Sequence, residues 1–210
     1  MQRQESKRPA IAQDHISNIS NHNMNNFHVQ DKSDYTIVNT TYDDLPKIYW
    51  MFDGAIAYQK KNNYPGWNSY DKEFLKKEID KMLQLKIVQN ENILCVFSIC
   101  FSDPLIWREK DIGTSIYLHR ITVNPDCKGQ NQFAKVLQWT FEYAEKNELE
   151  SIRMDTWADN PKIISYYTEY GFRFLENYTT PGTDELPEQH RNLTVALLEL
   201  RCEDYKKKFK

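Results

Sequence analysis

Apolar positions along the chain switch between a period of two and a period near 3.6, and the order of the switches lays out an architecture. Tyr35–Val38 is a short β-branched strand. Thr41–Asp44 with Pro46 in the first turn is a helix start, after which Leu45, Ile48, Tyr49, Phe52 and Ile56 recur at helical spacing. Pro65 and Gly66 break that segment. A second amphipathic helix runs from about Ser69, with Phe74, Leu75, Ile79, Met82 and Leu83 on one face. Lys86–Val88 and Ile93–Phe101 around Asn90–Asn92 predict a β-hairpin whose second strand is buried on both faces, and Pro104 ends it.

A charged excursion through Trp107, Arg108, Glu109, Lys110 and Asp111 leads to a strand over Ser115–Val123. The next helix carries Phe133, Val136, Leu137, Thr140, Phe141 and Ala144 on one stripe. Ser151–Thr156 alternates apolar and polar, and a helix crossing between it and the preceding strand makes the two parallel. Asn160-Pro161 starts another helix, with Ile163, Ile164, Tyr167 and Tyr170 on its buried face and Gly171 as its stop. Phe172–Tyr178 and Leu193–Leu200 are the last strands. The fold class is α+β, a mixed central sheet flanked by helices in the order β-α-α-β-β-β-α-β-α-β-β.

Residues 1–33 are rich in Asn, Gln, Ser and charge, with isolated Ile11, Ile16, Ile19, Met24 and Phe27. They read as a flexible or loosely docked tail, or as an arm that docks on a neighbouring subunit through those apolar residues. One domain then fills residues 34–202, and residues 203–210 make a basic C-terminal tail. The net charge of −3 lacks the basic field of a nucleic-acid binder, so small-molecule or peptide partners are expected. No apolar stretch nears the ~18 residues of a membrane span. Cys95, Cys100, Cys127 and Cys202 have neither metal-ligand nor disulfide-scaffold spacing, which points to reduced thiols, no metal and a cytoplasmic location.

The candidate chemistry lies where the strand Ile121-Thr122-Val123 passes through Lys128, Gly129, Gln130, Asn131, Gln132 and Phe133 into a helix at Ala134. Unpaired N–H groups at a helix start, with the positive end of the helix dipole, suit a phosphate or diphosphate. Gly is favoured where the main chain takes positive φ or nears a ligand; Asn131 is the next best for the first need, and Phe133 is bulky for the second. Phe133 also fits the helix stripe, so its ring can turn inward while its amide faces the phosphate.

The element order from Tyr35 to Leu200 resembles the GNAT superfamily of acyl-CoA-dependent N-acetyltransferases. So do the Val123–Pro125 strand end with its Lys128-Gly129 turn, the Asp155-Thr156 strand exit to Asn160, and Tyr167–Phe172. The resemblance implies acetyl-CoA as cosubstrate, with the main chain of Ile121 and Val123 meeting its pantetheine arm where the strand splays from its neighbour. It also implies a diphosphate turn of the form Arg/Gln-x-x-Gly-x-Gly/Ala, filled here by Lys128, Asn131 and Phe133. Asn160 is an N-cap that would also touch the pantetheine or phosphate end. Tyr167 would protonate the departing thiolate, and a core tyrosine is its other reading.

His119 flanks the thioester position as a base or as a satisfied core histidine. Cys127 has no activating His in sequence, so direct attack by a primary amine is expected. Tyr58, Tyr64 and Trp67 with Asp184, Glu185 and Glu188 would wall the acceptor side for a cationic amine. A catalytically silent acyl-CoA-binding or interaction domain, its chemistry lost through Phe133, is the alternative. The apolar Leu193–Leu200 strand leaves room for a homodimer.

Overall fold

The computed structural model describes residues 35–64 and 66–209. The tail expected over residues 1–33 and the Pro65 half of the helix break lie outside the described residues. Within them the chain runs β1 (Thr36–Asn39), α1 (Leu45–Lys61), α2 (Lys72–Asp80), β2 (Gln84–Gln89), β3 (Asn92–Cys100), α3 (Pro104–Trp107) and β4 (Ser115–Val123). It continues through α4 (Gln132–Lys146), β5 (Ser151–Trp157), α5 (Pro161–Glu169), β6 (Arg173–Thr179), β7 (Thr194–Arg201) and α6 (Cys202–Phe209). The expected order is present, with α3 and α6 added to it.

The seven strands form one sheet in the order β1-β2-β3-β4-β5-β7-β6. Only β4 and β5 pair in parallel, as the crossover through α4 requires. The sheet is covered on both faces, which is why β3 is buried along nearly its whole length. Cys95, Phe97 and Ile99 point toward α4, in a core with Val136, Leu137, Phe141 and Ile152. Val96 faces the other way, into a cluster with Ile48, Met51 and Phe52 of α1 and Leu75 and Ile79 of α2.

Three expectations are corrected. Trp107, placed in a charged excursion, belongs instead to the core: it is 0% exposed and packs with Ile106, Tyr117, Leu186 and Leu197, because a short helix at Pro104 turns it inward. Residues 203–209 are not a bare tail, since α6 buries Cys202 and Tyr205, and the Tyr205 ring stacks on Phe141 with centroids 4.1 Å apart. Its lysines face solvent while one apolar side docks, a pattern too short to stand out from the basic composition. Finally, β7 is not available for pairing with a second copy, because β5 and β6 occupy both its edges. The free edge on that side is β6, which exposes Phe174 and Leu175. Among the described residues no helix is long and apolar enough to cross a membrane.

Candidate active site

β4 and β5 begin as partners and then part. Their pairing runs from Ser115↔Ser151 to Leu118↔Met154 and stops. Beyond it β4 stays with β3, through Thr122↔Val96 and Val123↔Cys95, while Asp155, Thr156 and Trp157 pair with β7. The cause is a bulge in β4. Between Ser98↔His119 and Val96↔Thr122 one extra residue enters β4, and Arg120 takes a left-handed φ of 49° there. A bulge bends and over-twists its strand, so β4 swings away from β5. The guanidinium of Arg120 is held by Glu78 of α2, whose other oxygen accepts from Ser98 Oγ at 3.1 Å.

The fork opens into a cavity of about 720 Å³ walled by β4 from Leu118 to Val123, β5 from Met154 to Trp157, and α5 through Asn160, Ile163, Tyr166 and Tyr167. Gly54, Tyr58, Tyr64 and Trp67 close it from the α1 side, so the aromatic wall foreseen there does line the site. Lys128 lies at its rim with Nζ 3.7 Å from the Tyr58 ring centroid, and Lys162 adds a second cation over Tyr64.

The turn beyond the rim keeps its amides free. Asn124 organises its start: its Oδ1 accepts from Asp126 N–H at 3.0 Å and its Nδ2 donates to Ile93 O at 2.7 Å. Cys127 N–H donates to Asn124 O at 2.8 Å, and the next main-chain bond is Ala134 N–H to Asn131 O at 3.1 Å. The amides of Lys128–Phe133 between them have no protein acceptor among the described residues, whereas that of Ala134 is committed and so is not a ligand group as expected. Gly129 sits at φ 79° with open space where a Cβ would stand. Asn131 takes the left-handed conformation at φ 54° and makes no side-chain cap; its Oδ1 instead accepts from Tyr170 Oη, leaving the first α4 amides uncapped.

Phe133 is 3% exposed, and its ring meets Tyr167 and Tyr170 edge-on at 5.0 and 4.8 Å. It belongs to the core and does not wall the cavity. Gly129, Gln130, Asn131 and Gln132 also lie outside the cavity wall, at its surface end, where a diphosphate rather than an acyl chain would be met. The chemistry of this donor set, bare amides beside two lysines, suits that anion.

At the inner end of the fork the register explains a cluster. Leu118↔Met154 is the last parallel pair, so the next residues, His119 and Asp155, stand side by side where the strands separate. His119 Nδ1 is 3.6 Å from Asp155 Oδ1, and its Nε2 is 3.6 Å from Asp103 Oδ2 and 3.3 Å from Cys100 Sγ. Asp103 is brought over by the loop after β3, which Asp111 pins by accepting from Ser102 Oγ at 2.7 Å, Asp103 N–H at 3.0 Å and Tyr117 Oη at 2.7 Å. Ligand atoms of Asp103, His119 and Asp155 lie within 4.8 Å of one another, a spacing that suits a cation, whether a metal or an ammonium.

Burial holds the pKa of His119 well below the usual histidine value, with Arg120 and His190 adding to it. Burial also raises Asp103 to about 7, helped by the charges of Asp155 and Asp111, and raises Asp155 to about 6 against the pull of Arg120. The trio can therefore take or hold a proton near neutrality. Tyr167, 9% exposed and facing the cavity, keeps its proton firmly because of burial.

No family profile matches the chain. It is 36% identical over 73 residues, 35% of its own length and 41% of the relative's, to the uncharacterized N-acetyltransferase YesJ of Bacillus subtilis. Its structure resembles a GNAT-family acetyltransferase from Listeria monocytogenes with a TM-score of 0.66 at 16% identity, covering 80% of this chain and 94% of that one. YncA of Salmonella typhimurium, solved with its cofactor acetyl-CoA, matches at a TM-score of 0.56 and 16% identity over 81% of this chain and 95% of that one. The spermidine/spermine N-acetyltransferase SpeG of Vibrio cholerae matches at 0.58 and 14% identity, over 85% and 100%.

The fold is that of the GNAT acetyltransferases. On this GNAT fold, His119, Ile121, Thr122, Val123, Lys128, Asn160 and Tyr167 all wall the fork cavity. Asn160 Oδ1 caps α5 through Ile163 N–H at 3.2 Å, and its Nδ2 donates no hydrogen bond among the described residues. Asp184 and Glu188 do not wall the fork cavity; Asp184 pairs with Arg191 at 2.7 Å. The acids that do stand near the centre, Asp103 and Asp155, were missed. The one available signal was the position of Asp155 directly after the alternating Ser151–Met154 strand.

Proposed function

We propose that the chain is an N-acetyltransferase that moves an acetyl group from acetyl-CoA to a primary amine by direct attack, within the cytoplasm. Four unpaired cysteines suit such a reducing compartment. The observation that carries the reading is the continuity of the opened β4/β5 fork with the bare amides of Lys128–Phe133. When bound, acetyl-CoA supplies an activated thioester carbonyl.

In this reading the turn amides and Lys128 hold the diphosphate, and the free main chain of Ile121 to Val123 pairs with the pantetheine amides. Asp155 and His119 take a proton from the incoming ammonium, because only the neutral amine has the lone pair that bonds to carbon. As the C–S bond breaks, Tyr167 donates its proton to sulfur, and the buried site keeps that proton available until then. The nitrogen sheds a second proton as the amide forms, so the released products are the amide, the CoA thiol and one proton to solvent.

Phe133 favours this reading over the silent module, since its ring sits in the core and takes no room from the cavity. Acetyl-CoA should raise the melting temperature, by about 2.7 kcal/mol of stabilisation at a hundred times Kd, and thiol release should follow on adding an amine. No thermal shift with acetyl-CoA would contradict the reading.

A further inference from the structure

A second cavity, of about 860 Å³, borders the same centre. His119, Arg120 and His190 belong to the walls of both cavities. The two cavities therefore border the same group of side chains. Its inner end holds Asp103, whose Oδ2 is buried and accepts no hydrogen bond. Such an oxygen is a costly vacancy that an N–H donor bearing positive charge would fill.

Arg120 gives it no hydrogen bond, its Nη2 being held by Glu78, although the Arg120 charge is felt at Asp103. The same cavity has apolar walls in Phe74, Phe101, Leu105, Ile106, Leu186 and Pro187. Lys77 near the end of α2 and Lys81, the residue that caps it, are both exposed and also belong to this wall. Neither forms an ion pair among the described residues, although Lys81 lies near enough to Glu78 for its charge to be felt there. The remaining acid of this wall is Glu185, exposed on the loop across from them.

We propose that this cavity receives the acceptor, and that the acceptor is an amphipathic amine with an anionic far end. Its ammonium sits at Asp103 beside His119, its apolar body fills the middle, and a carboxylate or comparable anion meets Lys77 and Lys81. The proposal rests on the acetyl-transfer reading and narrows it. A linear polyamine, the substrate class in the name of the similar SpeG, would place a second ammonium against the two lysines, where like charges repel.

Three amines of one length separate the cases: 6-aminohexanoate, hexylamine and 1,6-diaminohexane, each assayed for thiol release from acetyl-CoA. The expected order of kcat/KM is aminohexanoate above hexylamine above diamine, with about tenfold between the first and last because both lysines are exposed. The Lys77→Glu/Lys81→Glu double variant should reverse that order while the thermal shift given by acetyl-CoA stays as in the parent. A diamine preference in the parent, an unchanged order in the variant, or cofactor binding with no turnover of any of the three overturns this proposal and leaves the cofactor reading standing. Absence of any acetyl-CoA shift overturns both.

Discussion

Removing the Phe133 ring tests whether the third position of the diphosphate turn serves the core or the ligand. The ring is 3% exposed and meets Tyr167, Tyr170 and Phe172 at centroid distances of 5.0, 4.8 and 6.2 Å. Buried Phe→Ala changes cost about 3–5 kcal/mol, of which each lost aromatic contact accounts for roughly 0.5–1.5. For a domain of this size about 2–4 °C of melting temperature goes with each kcal/mol. Phe133→Ala should therefore lower Tm by roughly 6–20 °C, and Phe133→Leu, which keeps most of the apolar volume, by much less. The main-chain N–H is untouched in both. Acetyl-CoA affinity, measured by calorimetry well below either Tm, should thus stay within about threefold of the parent. Binding is the readout, since Tyr167 leans on this ring and turnover would confound the two effects. Little loss of stability together with tenfold tighter cofactor binding would refute the inward placement and mean that the ring obstructs the phosphate.

Tyr167→Phe should cut turnover by about a hundredfold while leaving the acetyl-CoA thermal shift intact, because only the proton for sulfur is lost; equal loss in both would mark a structural tyrosine. Tyr205→Ala should cost about 3 kcal/mol in denaturant unfolding, since its ring is 8% exposed and stacked on Phe141, and a loss below about 0.5 would return residues 203–210 to a mere tail. Burial lowers the pKa of His190 to about 3, so acidification makes the unfolded chain bind a proton that the folded one refuses. Its contribution is fully present above about pH 6.5 and is lost as the pH falls toward 3. At pH 5 that is about 2 kcal/mol, which His190→Gln should remove from the difference between pH 7 and pH 5 unfolding free energies; an identical difference in the variant would contradict the assignment.

The sheet order and the helices that cover it could be read from periodicity because each element has its own apolar stripe, as Val136, Leu137, Phe141 and Ala144 do in α4. Asn131 could also be read correctly, since a left-handed residue before a helix leaves few choices beside Gly. What escaped was whatever depends on contact across the fold. Trp107 stands among charges in sequence and is buried only because Tyr117 and Leu197 lie beneath it. Asp103, His119 and Asp155 come from three separate segments and meet through one parallel register and one bulge at Arg120, for which a non-glycine residue gives no warning. Asp184 and Glu188, which composition alone made attractive, turned out to lie away from the fork.

The account stands on coenzyme A lying in the β4/β5 fork with its diphosphate on the turn, and hydrogen exchange resolved to single amides tests that most directly. Saturating acetyl-CoA is expected to slow exchange at Gly129–Phe133 and at Ile121–Val123, with the free edge of β6 unaffected. Unchanged exchange at both segments, or protection elsewhere in the chain, would contradict it.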